Sequence, residues 1–123
     1  MSDVSHISSA ATKTARREIA LLPQMLESGE NVVDICHGTV DSGRTAVMVL
    51  TDRRVLYMQR RFLIGPRVDA VRLDAVTSAE DLAGVRHATV CVDAGGRVFE
   101  LGDVDRALAR VFCARLRAQL KAA

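Results

Sequence analysis

Hydrophobic positions along this chain change their period twice. Over residues 12–28, Ala15, Ile19, Leu22 and Leu26 recur at spacings of three and four, with Arg16, Arg17 and Glu18 between them. That spacing predicts a helix. Pro23 must kink it or open a second short helix, because a proline inside a helix removes a backbone donor and clashes with the preceding turn. Gly29 is a natural stop. From Asn31 the period becomes two. Val33, Ile35 and His37 then share one face of a strand, and Val32, Asp34, Cys36 and Gly38 the other. Asp41-Ser42-Gly43 reads as a turn, 44–50 as the next strand, Thr51-Asp52 as a tight turn and 54–60 as the return. Gly65-Pro66 breaks the chain, and 68–76 supplies more strand. The polar stretch 78–84 reads as a loop. Residues 87–93, the turn Ala94-Gly95-Gly96 and 97–101 form a last hairpin. The helical period then returns, with Val104, Leu108, Val111, Phe112, Leu116 and Leu120 as an apolar stripe and Arg106, Arg110, Arg117 and Lys121 opposite. Gly102-Asp103 supplies the break and the N-cap, and Asp105 suits the positive end of the helix.

The order is therefore helix, about seven short strands, helix, in a mainly β chain that is α+β by content. Its 123 residues suffice for one hydrophobic core and not for two. The expected division is a flexible N-terminal tail over 1–11, an N-terminal helix over 12–28 and one domain over 29–123. The hairpin around Thr51-Asp52 is apolar on both faces. Arg54, Leu56, Met58 and Arg60 share one face of its return strand and Val55, Tyr57 and Gln59 the other; the preceding strand sets Thr45, Val47 and Val49 against Ala46, Met48 and Leu50. Only one side can face the core, so the second needs a cover, either the N-terminal helix or another copy of the chain.

Short local signals carry a family likeness. "LESGENVV" leads into the first strand, and "VMVLTDRRVLYM" resembles the hydrophobic–Thr–polar–polar–Arg–hydrophobic hairpin of bacterial PH-like domains. "VRLDAVTSAE" resembles their fifth strand, and "VFELGDVDRALARVFCARL" their last strand and capping helix. Together these are similar to the YokE-like group of bacterial PH domains, over roughly residues 26–120. The resemblance implies a PH-like antiparallel β-barrel or sandwich of about seven strands whose C-terminal helix caps the open end. It also implies a binding or assembly module without catalysis. Eukaryotic relatives of that family bind phosphoinositides through several cations in and beside the first strand loop. Here that loop is Asp41-Ser42-Gly43-Arg44, one cation beside an acid, which disfavours a multiply charged headgroup.

Composition adds limits. Net charge is +2, so the chain as a whole attracts no polyanion. The basic stripe of the last helix has no aromatic residues interleaved for base stacking, and nucleic acid is not an expected partner. Cys36, Cys91 and Cys113 are widely spaced with no C-x-x-C pair, which favours reduced thiols in a cytoplasmic protein. The N-terminus lacks a signal-like apolar stretch, and no segment approaches the ~20 apolar residues of a membrane span.

Candidate chemistry is sparse. Cys36 and His37 are strand neighbours and point to opposite faces. His87 and Cys91 share a face but lie about 13 Å apart along an extended strand. No glycine-rich segment opens a helix as a phosphate cradle would, no His/Cys spacing suggests zinc, and no cofactor is implied. What stands out is "LTDRRVLYMQRRFLIGPR". Arg53, Arg54, Arg60, Arg61 and Arg67 surround the apolar tip Phe62-Leu63-Ile64, and these eight residues are the candidate interaction surface. In one reading the tip folds back under the rim as ordinary core and the arginines are solvated strand ends. In the other it is exposed and docks a peripheral protein shallowly on an anionic membrane, at ~1 kcal/mol per cation. The expected function is a non-enzymatic module that binds a protein partner or itself, with anionic lipid as the alternative.

Overall fold

The computed structural model describes residues 15–41, 43–61 and 64–122. The tail, the first residues predicted for the N-terminal helix, and Phe62 and Leu63 lie outside them. Helix α1 spans Arg16–Met25. Strands β1 (Val32–Val40), β2 (Arg44–Thr51), β3 (Arg54–Gln59) and β4 (Arg67–Arg72) follow as one meander. A 3-10 turn, Leu73–Ala75, leads to a second meander of β5 (Ser78–Ala83), β6 (His87–Ala94) and β7 (Arg97–Asp105). Helix α2, Arg106–Ala122, closes the chain. All pairings are antiparallel, and the seven strands lie in the order β4-β3-β2-β1-β7-β6-β5.

The two meanders join where β1 meets β7, at the pair Thr39–Gly102. Gly38 makes this approach possible: a Cβ there would lie 2.1 Å from the Gly102 carbonyl oxygen. The sheet does not close on itself by backbone pairing, since β4 and β5 are its two ends. Side chains hold the curl instead. The Tyr57 hydroxyl on β3 donates to the Glu100 carbonyl on β7, and its ring meets Phe99 edge-on at 5.6 Å. Arg97 lies 4.8 Å over the Phe99 ring and pairs with Asp69 of β4 at 3.1 Å.

Each face of β2–β3 has its own apolar cluster, as period two dictates. Ala46, Met48, Leu50, Val55 and Tyr57 face inward against β6, β7 and α2, where Ala109, Phe112, Cys113 and Leu116 are fully buried. Val47, Val49, Leu56 and Met58 face outward, and α1 covers them with Leu22, supported by Ile19, Leu21 and Met25. Of the two covers the sequence allows, the helix is the one in place.

Several local expectations shift. Pro23 sits inside a single helix that ends two residues later at Met25, well before Gly29. Residues 78–84 are not a loop: β5 runs through them, pairing with β6 from Ser78–Asp93 to Ala83–Ala88. The last helix starts later than Asp103, because β7 continues to Asp105. Asp105 is the residue that caps it, accepting the Leu108 amide at 3.0 Å. Asp103 instead adopts φ +53° and accepts the Thr39 hydroxyl. Val32 joins Ile35 on the outer face because a bulge between Val32 and Asp34 shifts the alternation. Val111 leaves the buried stripe and is 42% exposed.

Candidate interaction surface

The arginines of the candidate surface separate into two groups. Arg54, at the start of β3, turns inward to Glu30 and donates to its carboxylate from Nε and Nη2, both at 2.9 Å. Its Nη2 also reaches the carbonyl of Met25, the last residue of α1, at 2.7 Å. Glu30 is buried and accepts further bonds from the Thr51 hydroxyl (2.6 Å) and the Glu27 amide (2.8 Å). Burial alone would raise its carboxyl, but these donors outweigh it and hold the pKa at about 2. Arg60, at the other end of β3, forks onto Glu18 of α1 at 2.9 and 3.2 Å, and Glu18 is buried. Arg53 pairs with Glu27 at 3.2 Å. β3 thus carries a clamp at each end, and both clamps grip the N-terminal helix.

The second group stays outside. Arg61 donates from Nε to the Gly65 carbonyl at 2.9 Å. Arg67 lies 3.5 Å from Asp69 with its side chain mostly exposed. Between them Ile64 is 66% exposed, against the reading that would bury it under the rim. Phe62 and Leu63 lie outside the described residues. The structure therefore leaves Arg61, Ile64 and Arg67 exposed and directs Arg53, Arg54 and Arg60 to acidic partners.

A cleft of about 490 Å³ opens beside the β1–β2 turn and the β1–β7 seam. Asp41, Glu100 and Asp103 line it with Thr39, Tyr57 and Gln59. Arg44, the cation of the first strand loop, is held by Asp41 at 2.7 Å. The lining is acidic, and it repels the phosphates that such a loop would have to hold.

Among the described residues, the candidate nucleophiles and bases do not converge. Cys36 is buried opposite Met48 and His37 faces the other way opposite Val47. All three cysteines are free thiols. Burial pushes the Cys36 thiol strongly up and the Cys113 thiol to about 11, so neither is a ready thiolate at neutral pH. Burial lowers the His37 pKa, and its Nδ1 is a buried nitrogen without a hydrogen-bond partner among the described residues. Among the described residues, no group of three His, Cys, Asp or Glu side chains stands close enough to hold a metal ion. No described helix is long and apolar enough to cross a membrane.

The arginine–glutamate clamps are what the sequence left hidden. Thr51 and Arg54 reach Glu30 from 21 and 24 residues away, and Arg60 reaches Glu18 from 42. Nothing in the local pattern marks Glu18 or Glu30 as buried, so the sequence carried no signal for the cations they need.

No curated protein sequence matches the chain. Among solved structures, the hSac2 domain from human phosphoinositide phosphatase Sac2 superposes with a TM-score of 0.63. The alignment covers 94% of this chain and 85% of that one at 7% identity, a likeness of fold alone. The family model for the bacterial PH domain matches residues 26–118, from just after α1 through most of α2. With that match over a seven-stranded antiparallel sheet capped by a C-terminal helix, the chain belongs to the bacterial PH domain family.

Proposed function

We propose that this domain is a non-enzymatic interaction module that binds protein, either a partner or a second copy of itself. One observation carries the choice of protein over lipid: Arg54 and Arg60 are turned onto buried glutamates, so the basic rim loses the cations that would make it adhesive. Arg61 and Arg67 remain. At ~1 kcal/mol each they contribute about 2 kcal/mol toward an anionic surface, too little for stable docking. The acidic cleft at the first strand loop works in the same direction. In this reading the protein acts in the cytoplasm, where its cysteines stay reduced.

Peripheral membrane binding is the second reading, favoured by the exposure of Ile64 between Arg61 and Arg67. Co-sedimentation with vesicles separates the two. Phosphatidylserine-rich and pure phosphatidylcholine vesicles are expected to pellet the protein equally little. Pelleting by the anionic vesicles that salt reverses, and that Ile64→Glu abolishes, would replace the protein-binding reading with the lipid one.

A further inference from the structure

We infer that strand β4 is the docking edge, and that its partner is β4 of a second copy paired antiparallel about Ala70. This rests on the protein-binding reading above and names its surface. The first step is to find which backbone groups of β4 are already used. Leu73 donates its amide to the Arg53 carbonyl at 3.0 Å, making Arg53–Leu73 a hydrogen-bonded pair. Bonded and non-bonded pairs alternate along an antiparallel ladder. In the observed register, Val55–Val71, Tyr57–Asp69 and Gln59–Arg67 are then bonded as well. Val68 and Ala70 must point their N–H and C=O groups the other way, and Arg72 its N–H, while the Arg72 carbonyl opens the 3-10 turn as its N-cap. The far side of β3 agrees: Arg60 bonds to the Thr45 carbonyl, so Leu56 and Met58 spend their groups on β2.

The two ends of the sheet differ in what lies beyond them. At the β5 end, the Gly84 amide bonds to the His87 carbonyl, so by the same alternation Ala79 faces outward. Helix α2 meets it there: Arg117 Nε donates to the Ala79 carbonyl at 3.0 Å, and its guanidinium also lies 3.6 Å from Asp81. That edge is capped. Beyond β4 no described residue pairs with the edge. Val68 and Ala70, beside Met58 and Leu56 on the outer face, are exposed, with Ile64 at the strand's entrance.

The register follows from the residues. Pairing about Ala70 sets Val68 against Arg72 of the other copy, Asp69 against Val71 and Ala70 against itself. The free N–H and C=O groups of Ala70, the Val68 carbonyl and the Arg72 N–H are then used in four bonds across the two-fold axis, and the Val68 N–H reaches an Arg72 carbonyl that it shares with the 3-10 turn. No like charges stand directly opposite. Pairing about Asp69 would oppose two aspartates at the two-fold axis. Pairing about Val68 spends Ala70 on Pro66, which has no N–H, and pairing about Val71 leaves Val68 unbonded. A second copy is thus complementary to this edge in hydrogen bonds and meets it without charge repulsion. The strand is short and offers few bonds, so a weak dimer is expected, with a dissociation constant on the order of 10–100 μM.

Sedimentation of the full chain from about 10 μM to 1 mM brackets that range. Monomer should give way to dimer across it, while hydrogen exchange at Val68, Ala70 and Arg72 slows with concentration and that at Asp69 and Val71 does not change. Ala70→Pro deletes an outward donor that the monomer leaves unused, and it should weaken the dimer by at least about 10-fold. A charge swap reads the register without touching the backbone. Val68→Glu, facing Arg72 of the other copy, should tighten the dimer by about 3-fold, and Val68→Lys should loosen it by about as much. A single 13.3 kDa species at the highest concentration overturns the proposal. So does a dimer indifferent to all three substitutions, or protection of the three amides at every dilution. A monomer that also ignores anionic vesicles leaves the protein-binding reading intact, whereas a monomer that binds them removes both.

Discussion

The sheet has two apolar faces and two helices to cover them, and the covers work by different physics. On the inner face α2 presents Ala109, Phe112, Cys113 and Leu116, all fully buried, against β6, β7 and the inward side of β2–β3. Its ion pairs, Arg115 with Asp34 at 3.5 Å and Arg117 with Asp81 at 3.6 Å, have exposed arginines and add little. On the outer face α1 fully buries one large apolar side chain, Leu22, and holds on through charge. Arg60 grips Glu18 near its start, and Arg54 grips both Glu30 and the carbonyl that ends it. The family match runs through most of α2 and begins after α1. The inner cover is part of what makes the PH-like fold, whereas the outer one is an attachment secured at two points. Removing apolar volume should therefore damage the first, and removing charge the second.

The largest effect should come from the inner cover. Phe112→Ala empties the centre of the main core, and large-to-small changes at such sites cost about 4 kcal/mol. Urea denaturation followed by circular dichroism should show one cooperative transition at a much lower midpoint, with strands and helix lost together. A variant that loses only α2 while the sheet survives would break the claim that this helix belongs to the core.

Glu30→Gln tests the outer cover. It leaves the Arg54 guanidinium half-buried without its counter-charge, and breaking such a pair by one partner costs about 3 kcal/mol. The loss should be uneven. Amides of α1 and of the β2–β3 turn should exchange much faster, while those of β6 and β7 keep their order. Uniform acceleration would mean that α1 is as integral as α2.

Acid does the same to the unmodified protein. The Glu30 carboxyl titrates at about 2 when folded, below its ordinary value of 4.5, so the folded state favours the charged form. Its contribution is complete above pH 4.5 and is lost as pH falls toward 2. At pH 3 the loss is about 2 kcal/mol. Comparing unfolding free energies at pH 6 and pH 3 in the parent and in Glu30→Gln isolates it: the parent should fall further than the variant by about that amount. Equal slopes would show that the clamp is not what α1 hangs on.

The same contrast explains what was legible in the sequence. The inner cover was, because burying a helix stripe and one face of each strand imposes periods that survive in the residue order. Phe112 and Leu116 could be placed this way, and so could both faces of β2–β3. The clamps of the outer cover were not. A salt bridge leaves no period, and Glu18 and Glu30 meet their arginines only after the chain has turned back several times. β5 was missed for a related reason. Ala79 is the one residue it fully buries, and its structure comes from the β6 ladder and the Arg117 cap, partners far along the chain. Exposure of β4 is a property of strand order, which no local pattern records.

Val111 gives the smallest effect and marks where the inner cover ends. Helical spacing puts it in the same stripe as Leu108 and Phe112, yet the position is 42% exposed. Successive helical residues are about 100° apart, so Val111 lies one step round from Phe112 and a stripe drawn to include both is wide. The curl of the sheet leaves α2 a narrower seat, filled by Ala109, Phe112, Cys113 and Leu116. Val111→Ser should therefore change the unfolding free energy by no more than about 0.5 kcal/mol, as for a surface site. A loss near 2 kcal/mol would mean that α2 seats more deeply than its exposure indicates, and the inner cover would then extend to the face assigned here to solvent.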